Sequence, residues 1–577
     1  MKPIHRLREA ADPARVRALV DQLNIPEPVA AVLVGRGYAD PEAARAFLRP
    51  RLRDLNDPWS MAGMDRAVER LTRAIDDGER ILVHGDYDVD GVCGSAMLTR
   101  ALHELGADVE AFVPHRLRDG YDFGPAGLAR AVELGASLVL TCDCGITAHA
   151  TVAAARSQNV DVIVSDHHTP HPELPPAAAV LNPHRADCGY PDKVLCGSGV
   201  AFKLLHALYQ RRGRSVEDLY RYLDLVAVPT VADLVPLTGE NRLLTRFGLK
   251  VLRRTPNPGL RALLKVAGVN TQRPINAGQI AFIIGPRINA VGRMGDPMRG
   301  LRLLLTDDEV EAAELAAVVD EENRIRQEVD RATLEEADEI LQTTFDPDRD
   351  RAIVLASSHW HPGVIGIVAS RIVERYYRPT VLIALEGAAG KGSGRSIPGF
   401  HLYDALRACA PHLVQFGGHR YAAGLQIEAH RVEAFRQALD GVAREQLEPE
   451  DLRPRLNVDL DLPLSAVTPD LWRVLAHFGP FGQGNPKPVF LARNVGLRGA
   501  PQIVGEDHLR LRLDVGAGAV PEAIAFGQAA EAEWLDESSR IDLAYHLGLK
   551  SWQGVEYIQA RVVDLRPAEA VGAASES

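Results

Sequence analysis

The 577-residue chain predicts an α/β protein with a parallel-sheet domain, a long connecting helix, a second α/β domain and a C-terminal β-barrel. Three observations carry that prediction. From about residue 60 to 190, apolar strand-like runs alternate with helical patterns, as in a parallel sheet covered by helices on both faces. Residues 308–342 place apolar residues at helical spacing among many charges, the pattern of a long, partly exposed helix. From about residue 455 the pattern shortens to alternating segments such as Leu509-Arg510-Leu511-Arg512-Leu513-Asp514-Val515 and Ile541-Asp542-Leu543-Ala544-Tyr545-His546-Leu547. Those segments suit a small antiparallel barrel.

Taken in order, residues 1–50 read as short amphipathic helices, Pro41-Glu42-Ala43-Ala44-Arg45-Ala46-Phe47-Leu48 among them. The first domain, 51–305, opens with helix 64–77, strand 81–85, helix 92–105, strand 109–113 and helix 124–134. Strand 137–141, helix 147–157 and strands 160–165 and 178–181 follow, and 197–305 is mostly helical. Residues 306–345 form the connecting helix. The second α/β unit, 346–450, contains strand 352–356, helix 364–376, strand 380–384, helix 402–414, strand 424–428 and helix 431–446. The barrel occupies 455–567, and the Ala/Ser/Glu-rich tail 568–577 is expected to be disordered.

A chain of this length exceeds one hydrophobic core, so several domains are required. Hydrophobic and charged fractions of 46% and 25% are those of an ordinary globular protein. No run approaches the roughly 18–20 apolar residues of a membrane span, and Met1-Lys2-Pro3-Ile4-His5-Arg6 lacks the apolar core of a secretory signal. Six cysteines are too sparse for a disulfide framework. The expectation is a reduced, cytoplasmic enzyme with no membrane contact. A net charge of −12 argues against a protein that coats polyanions generally. It leaves room for a nucleic-acid enzyme, because only the field in the substrate groove must be positive. Taken singly, the basic clusters Arg51/Arg53, Arg116/Arg118 and Lys250/Arg253/Arg254/Arg261 read as solvated faces more readily than as phosphate tracks.

Chemistry concentrates at three strand ends. Ile81-Leu82-Val83 leads into His84-Gly85-Asp86-Tyr87-Asp88-Val89-Asp90-Gly91, Leu138-Val139-Leu140 into Thr141-Cys142-Asp143-Cys144-Gly145, and Val162-Ile163-Val164-Ser165 into Asp166-His167-His168. In open sheets of this kind ligands sit beyond the carboxyl ends of the strands. His84, Asp88 and Asp90 share an H-x3-D-x-D spacing, and Asp233 stands in the apolar stretch Val231-Ala232-Asp233-Leu234-Val235. A buried carboxylate is costly unless it pairs with a cation or binds metal. Several together call for two divalent ions about 3.5–4 Å apart, with Asp143 the candidate bridge. Oxygen-rich ligation with one or two imidazoles favours two Mn²⁺ ions, Mg²⁺ being a workable substitute. Zinc prefers sites richer in His or Cys, and Cys142-x-Cys144 reads as two small buried residues.

With these motifs stand Thr230–Arg242, Gly285-Pro286-Arg287-Ile288-Asn289-Ala290-Val291-Gly292-Arg293, Lys391–Ser396, Phe416-Gly417-Gly418-His419 and Phe481-Gly482-Gln483-Gly484-Asn485-Pro486. As an ordered set covering residues 5–567, they resemble the RecJ family of single-strand-specific 5′-to-3′ exodeoxyribonucleases, within the DHH phosphoesterase superfamily. The resemblance implies a DHH domain, a DHH-associated domain and an OB-fold barrel. It implies Asp88, Asp90, Asp143, His167 and Asp233 as metal ligands; His84 matches a position that varies in the family, and Asp86 stands behind the ligands. His168 would contact the scissile phosphate, so that His168, Asp143 and His167 form the catalytic set. Ser393, Arg395 and Arg116 would hold a 5′-terminal phosphate, a role suited to bidentate guanidinium. Arg287 and Arg293 would line the strand's path, and Gly417, Gly418 and His419 would approach a phosphate.

The implied reaction is two-metal hydrolysis releasing 5′-mononucleotides from single-stranded DNA, in repair and recombination. Single-strand-binding protein and a helicase are implied partners. Tyr121, Trp360 and Tyr421 are candidate stacking aromatics, though each such residue is more often part of a core. Lys487, Arg510, Arg512 and Lys550 of the barrel are candidate phosphate contacts. Two alternatives stay open: a DHH phosphoesterase acting on short oligonucleotides or cyclic dinucleotides, and a non-catalytic DHH-like replication scaffold.

Overall fold

The computed structural model describes residues 2–116, 118–516, 520–552 and 555–568, and its chain divides into two compact units. The larger comprises Leu52–Gln446 with Pro480–Asn485. Its first sheet has five parallel strands in the order Asp108–Phe112, Arg80–Gly85, Leu138–Cys142, Asp161–Ser165, Ala179–Leu181. Ile81, Val83, Leu140 and Ile163 bury against one layer of helices; Leu82, Val139, Val162 and Val164 bury against the other. Burial on both faces is why these strands read as unbroken apolar runs. The chain reverses its direction of sheet growth between Arg80–Gly85 and Leu138–Cys142. A crevice beyond the carboxyl ends of two such strands is where open α/β sheets bind ligands. Asp86–Asp90 and Asp143 follow those strands directly.

Helix Glu309–Thr344 has 36 residues and spans about 54 Å. Asp308 caps it, accepting hydrogen bonds from the Val310 and Glu311 N–H groups at 2.7 and 3.1 Å. Its Ala316 and Val319 join the core of the first sheet, whereas Ala337 and Leu341 join that of the second. The second sheet runs Gln415–Gly418, Ala422–Glu428, Ala389–Arg395, Thr380–Glu386, Ile353–Ser357, with the last pair parallel and the rest antiparallel. Strand Ala389–Arg395 carries no apolar alternation because glycines take the inward positions. A Cβ at Gly390 would stand 2.8 Å from Ile383, at Gly392 2.6 Å from Leu425, and at Gly394 2.9 Å from Leu402. The helix expected over 402–414 is shorter, Leu402–Ala408, followed by a 3₁₀ turn through Pro411 and then the strand Gln415–Gly418.

The other unit gathers Met1–Arg51, Leu447–Gly479 and Pro486–Ser577. Strand Phe490–Leu497 pairs with both Arg540–Trp552 and His508–Asp514, and Glu522–Ala525 links His508–Asp514 to Val555–Pro567, so five strands close in a ring. That is an OB-type barrel. The N-terminal segment contains helices Pro13–Leu23, Glu27–Gly35 and Pro41–Leu48. A strand, Ile4–Leu7, precedes them and pairs in parallel with Arg455–Val458; its four residues are too few to display a period. Arg36 anchors this segment through a two-pronged ion pair with Asp459, at 2.9 and 3.0 Å. In the barrel Lys550 is tied to Glu522 and Arg510 to Gln502, whereas Lys487 is exposed. Beyond Ala568, the tail expected to be disordered lies outside the described residues. Among the described residues no helix is long and apolar enough to cross a membrane, and all six cysteines are buried and unpaired.

Candidate metal centre

The loop Asp86–Asp90 turns sharply from strand Arg80–Gly85 into helix Val89–Glu104. Asp88 caps that helix, accepting from the Asp90 and Gly91 N–H groups at 2.8 and 3.2 Å. Gly91 is obligatory here, since a Cβ would lie 2.3 Å from the Asp86 backbone. Asp90, fully buried, accepts from the N–H groups of Gly197 and Ser198 at 2.7 and 2.8 Å. Those donors open helix Gly197–Arg211, where the backbone favours an anion. Asp143 adopts the left-handed conformation, φ 64°, which turns the chain at the end of its strand. Asp233 ends helix Leu223–Ala232.

These elements converge on His167. Its Nε2 stands 3.0 Å from Asp143, 3.7 Å from Asp233 and 3.9 Å from Asp90. Three sets of potential ligand atoms each lie within 4.8 Å of one another: Asp86/Asp88/Asp143, Asp90/His167/Asp233 and Asp143/His167/His168. Asp143 belongs to two of the sets. Asp143 Oδ1 and Asp86 Oδ1 are buried without a hydrogen-bond partner. Burial, then repulsion from neighbouring carboxylates, raises the Asp86, Asp143 and Asp233 carboxyls well above the usual range. Asp90 rises too, burial again leading. Unpaired acids concentrated this way fit a pair of divalent cations, and the oxygen-rich donor set fits Mn²⁺ or Mg²⁺ better than zinc.

Asp86 supplies a potential ligand atom in the set with Asp88 and Asp143. His84, by contrast, lies in none of the three sets. It packs tilted against Phe112 and edge-on against Phe123, at ring distances of 5.7 and 5.1 Å, with Nδ1 3.6 Å from Cys144 Sγ and Nε2 facing Gly127. Burial lowers its pKa to about 4, so it is a neutral core residue. The cause is strand alternation, which sends the side chain at 84 to the same face as Leu82, away from the cluster.

His168 Nδ1 bonds Asp166 at 2.8 Å, and the Asp166 carboxylate also accepts from the N–H groups of His167, His168 and Ile146. Burial opposes charge on His168, but the Asp166 bond and neighbouring acids outweigh it and raise its pKa to about 9. With Nδ1 committed to Asp166, His168 suits an anionic phosphate better than a metal. Its Nε2 lies 3.3 Å from the Tyr121 hydroxyl. Tyr121 and Tyr421 are exposed, as stacking aromatics must be, whereas Trp360 is 4% exposed and bonds Glu336, a core residue.

Arg116, Arg293, Arg395 and Ser393 form a basic cluster. Arg395 Nη1 donates to Ser393 Oγ at 3.2 Å, and the Arg116 guanidinium lies 5.4 Å from the Tyr87 ring of the Asp86–Asp90 loop. Burial, then Arg116 and Arg395, lower the Arg293 pKa to about 10; burial and Arg116 lower that of Arg395. Arg293 thus belongs to the pocket expected of Arg116, Ser393 and Arg395. Arg287, expected along the strand's path, bonds Asp320 at 2.7 Å and the Ile283 carbonyl at 2.7 Å, bracing the long helix. Gly417, Gly418 and His419 lie exposed on the Gln415–Gly418 hairpin; Gly418 has φ 138° and Gly417 faces open space.

Three residues near the site had no role read for them in the sequence. Asp122 accepts from Gly145 N–H and Thr147 Oγ1 at 2.5 and 2.6 Å, pinning the loop that carries Tyr121 to the loop that carries Asp143. Asn289 Oδ1 accepts from Val89 N–H at 2.9 Å. His361 follows strand Ile353–Ser357, at a sheet edge of the kind that marks the other motifs.

A carboxylate–imidazole cage at the switch point of a parallel sheet, with an arginine pocket beside it, defines a metal-dependent phosphoesterase. Family models agree: the DHH family N-terminal domain matches residues 80–230, the DHHA1 domain 349–445 and the RecJ OB domain 458–564. The single-stranded-DNA-specific exonuclease RecJ of Bacillus subtilis (strain 168) is 37% identical over 562 residues, covering 97% of this chain and 70% of that protein. The Escherichia coli (strain K12) RecJ is 38% identical over 532 residues, covering 88% and 91%. The crystal structure of Thermus thermophilus RecJ with Mn²⁺ matches with a TM-score of 0.84 at 35% identity, covering 98% of this chain and 80% of that one; its Mg²⁺ complex matches at 0.78. The chain belongs to the RecJ family.

Proposed function

We propose that this protein is a single-strand-specific 5′-to-3′ exodeoxyribonuclease that releases 5′-mononucleotides, acting in DNA repair and recombination. The observation that carries the reading is the packing of the unpaired acids about His167 beside a pocket of three guanidiniums. Asp86, Asp88, Asp90, Asp143, His167 and Asp233 would hold two divalent ions, Mn²⁺ or Mg²⁺. When bound, those ions supply an activated water nucleophile and offset charge on the phosphoryl group.

The chain's own residues do the rest. His168, kept protonated by Asp166, places a positive charge beside the phosphate as negative charge develops. Tyr121 holds the far nitrogen of that imidazole. Arg116, Arg293, Arg395 and Ser393 seat the 5′-terminal phosphate, and Tyr87 joins that pocket to the acidic loop. Because only a strand end fits there, digestion begins at the 5′ terminus and advances toward the 3′ end. Gly417, Gly418 and His419 offer a further phosphate contact on an exposed hairpin, and the barrel offers a grip on single strands. A single-strand-binding protein and a helicase are the proposed partners, in the cytoplasm.

Digestion of matched 5′- and 3′-labelled strands, with and without Mn²⁺, tests this. The 5′ label should appear first as a mononucleotide, only with metal, and blunt duplex should resist. Release of the 3′ label first, or equal attack on duplex, refutes the assignment. Cleavage confined to dinucleotides would favour the short-oligonucleotide alternative, and inertness with bound metal the scaffold.

A further inference from the structure

We propose that His361 is a specificity-determining residue of the 5′-end pocket, an uncharged donor that reads the third free oxygen of a terminal phosphate. This rests on the assignment of the pocket above. The turn His361–Gly366 is wedged between the pocket's cations. Arg293 Nη1 donates to the Gly363 carbonyl at 3.1 Å. A Cβ at Gly363 would lie 2.8 Å from the Arg293 carbonyl oxygen and 2.9 Å from His361 Nδ1. A Cβ at Gly366 would lie 2.8 Å from Ser393 Oγ and 3.0 Å from Arg395 Nη2. Both glycines are therefore needed for the turn to approach Arg293 on one side and Ser393–Arg395 on the other. Gly366 is also the second residue of helix Ile365–Tyr376, so the opening turn of that helix lies against the same two side chains.

His361 Nδ1 accepts the Gly363 N–H at 3.0 Å. In the neutral imidazole the proton must then reside on Nε2, which makes that atom a donor. Burial, and next the charge of Arg116, lower the His361 pKa and keep the ring neutral.

The chemistry gives such a donor a distinct task. Guanidiniums attract any phosphate, including the diester of an internal linkage. A terminal monoester has three unsubstituted oxygens, a diester two, and a 5′-hydroxyl end none. A fixed neutral donor added to three guanidiniums finds its partner only when the third oxygen is present. It adds little attraction for the rest of the strand, because it carries no charge.

Two substitutions separate this role from a structural one. His361→Asn sets an amide oxygen near the Nδ1 position, keeping the Gly363 contact and removing the distal donor. His361→Gln sets an amide nitrogen near the Nε2 position and gives up the Gly363 contact. The assay compares kcat/KM for 5′-phosphorylated and 5′-hydroxyl oligothymidylate with Mn²⁺. In His361→Asn the preference for the phosphorylated strand should fall about tenfold, the size of one hydrogen bond to a charged group, with the change in KM and not in kcat. In His361→Gln the preference should be retained. A His361→Asn enzyme that keeps the wild-type preference overturns the proposal. Arg395→Ala, run alongside, keeps the two readings distinct. If wild type shows no 5′-phosphate preference, the pocket assignment fails. If wild type shows it, Arg395→Ala loses it and His361→Asn does not, only the role of His361 fails.

Discussion

Replacing Asp143 with asparagine removes one negative charge while keeping the shape of the side chain and its tolerance of the left-handed backbone. Its ligand oxygen lies within 4.8 Å of those of Asp86 and Asp88. At an effective dielectric constant near 20, two unit charges that far apart repel by about 3.5 kcal/mol. Part of that repulsion is relieved in the metal-free protein by protonation, as the raised carboxyls indicate. The metal-free Asp143→Asn protein should therefore be more stable than wild type by about 1–3 kcal/mol, an upward shift of Tm by roughly 1 °C per kcal/mol for a unit as large as Leu52–Gln446. Mn²⁺ should reverse the order. Wild type gains about 2.7 kcal/mol at a hundredfold excess over Kd, and the variant, lacking the shared ligand, gains far less. Nuclease activity should drop by more than about 100-fold, since loss of even an outer partner of a metal ligand costs 10–100-fold. Differential scanning calorimetry with EDTA and then with Mn²⁺, beside a digestion assay, makes the comparison. A metal-free variant less stable than wild type, or one still stabilised by Mn²⁺ to the wild-type extent, refutes the account of a charge-crowded site completed by cations.

Three further outcomes are expected. Asp86, Asp143 and Asp233 have folded-state pKa values above their unfolded ones, so their contribution to stability is complete below about pH 4 and is lost as pH rises through the folded values. The Tm advantage of metal-free Asp143→Asn should accordingly widen from pH 5 to pH 8, and a pH-independent difference in calorimetry would contradict this. Arg395→Ala should reduce the kinetic preference for 5′-phosphorylated over 5′-hydroxyl strands by about 10–100-fold, the size of a charged hydrogen-bonding contact; an unaltered preference in end-group competition would remove Arg395 from the pocket. His84→Leu, a swap of similar volume between Phe112 and Phe123, should change stability by less than about 1.5 kcal/mol and leave the Mn²⁺-induced rise in Tm intact. Loss of that rise would restore His84 as a ligand.

The site was legible wherever an apolar run ended in acids or imidazoles, because the strand tells where its end points. Asp88, Asp90, Asp143 and His167 meet in the structure for that reason, and Asp233 arrives from the end of helix Leu223–Ala232. His84 misled because proximity in sequence to Asp88 says nothing about which face of the sheet it leaves; the period of two decides that, and Leu82 already marked the face. The roles of Asp122, Asn289 and His361 depend on loops brought together only by the fold, so local pattern was silent on them. Strand Ala389–Arg395 escaped for a different reason. Its inward residues are glycines that admit Ile383, Leu425 and Leu402, so the alternation lies in what is missing from the chain. Arg287 carried the expected chemistry, yet an acid on the long helix, Asp320, claims it.

The strand Ile4–Leu7 finds its partner at Arg455–Val458. During synthesis at roughly 5–20 residues per second, Ile4 leaves the ribosome about 20–90 s before Arg455 exists. Throughout that interval the leading segment has an edge with nothing to pair against, while the residues between are free to collapse on themselves. Loss of the short strand Ile4–Leu7 would therefore be felt far along the chain, in the segment Arg455–Val458 that leads into the barrel.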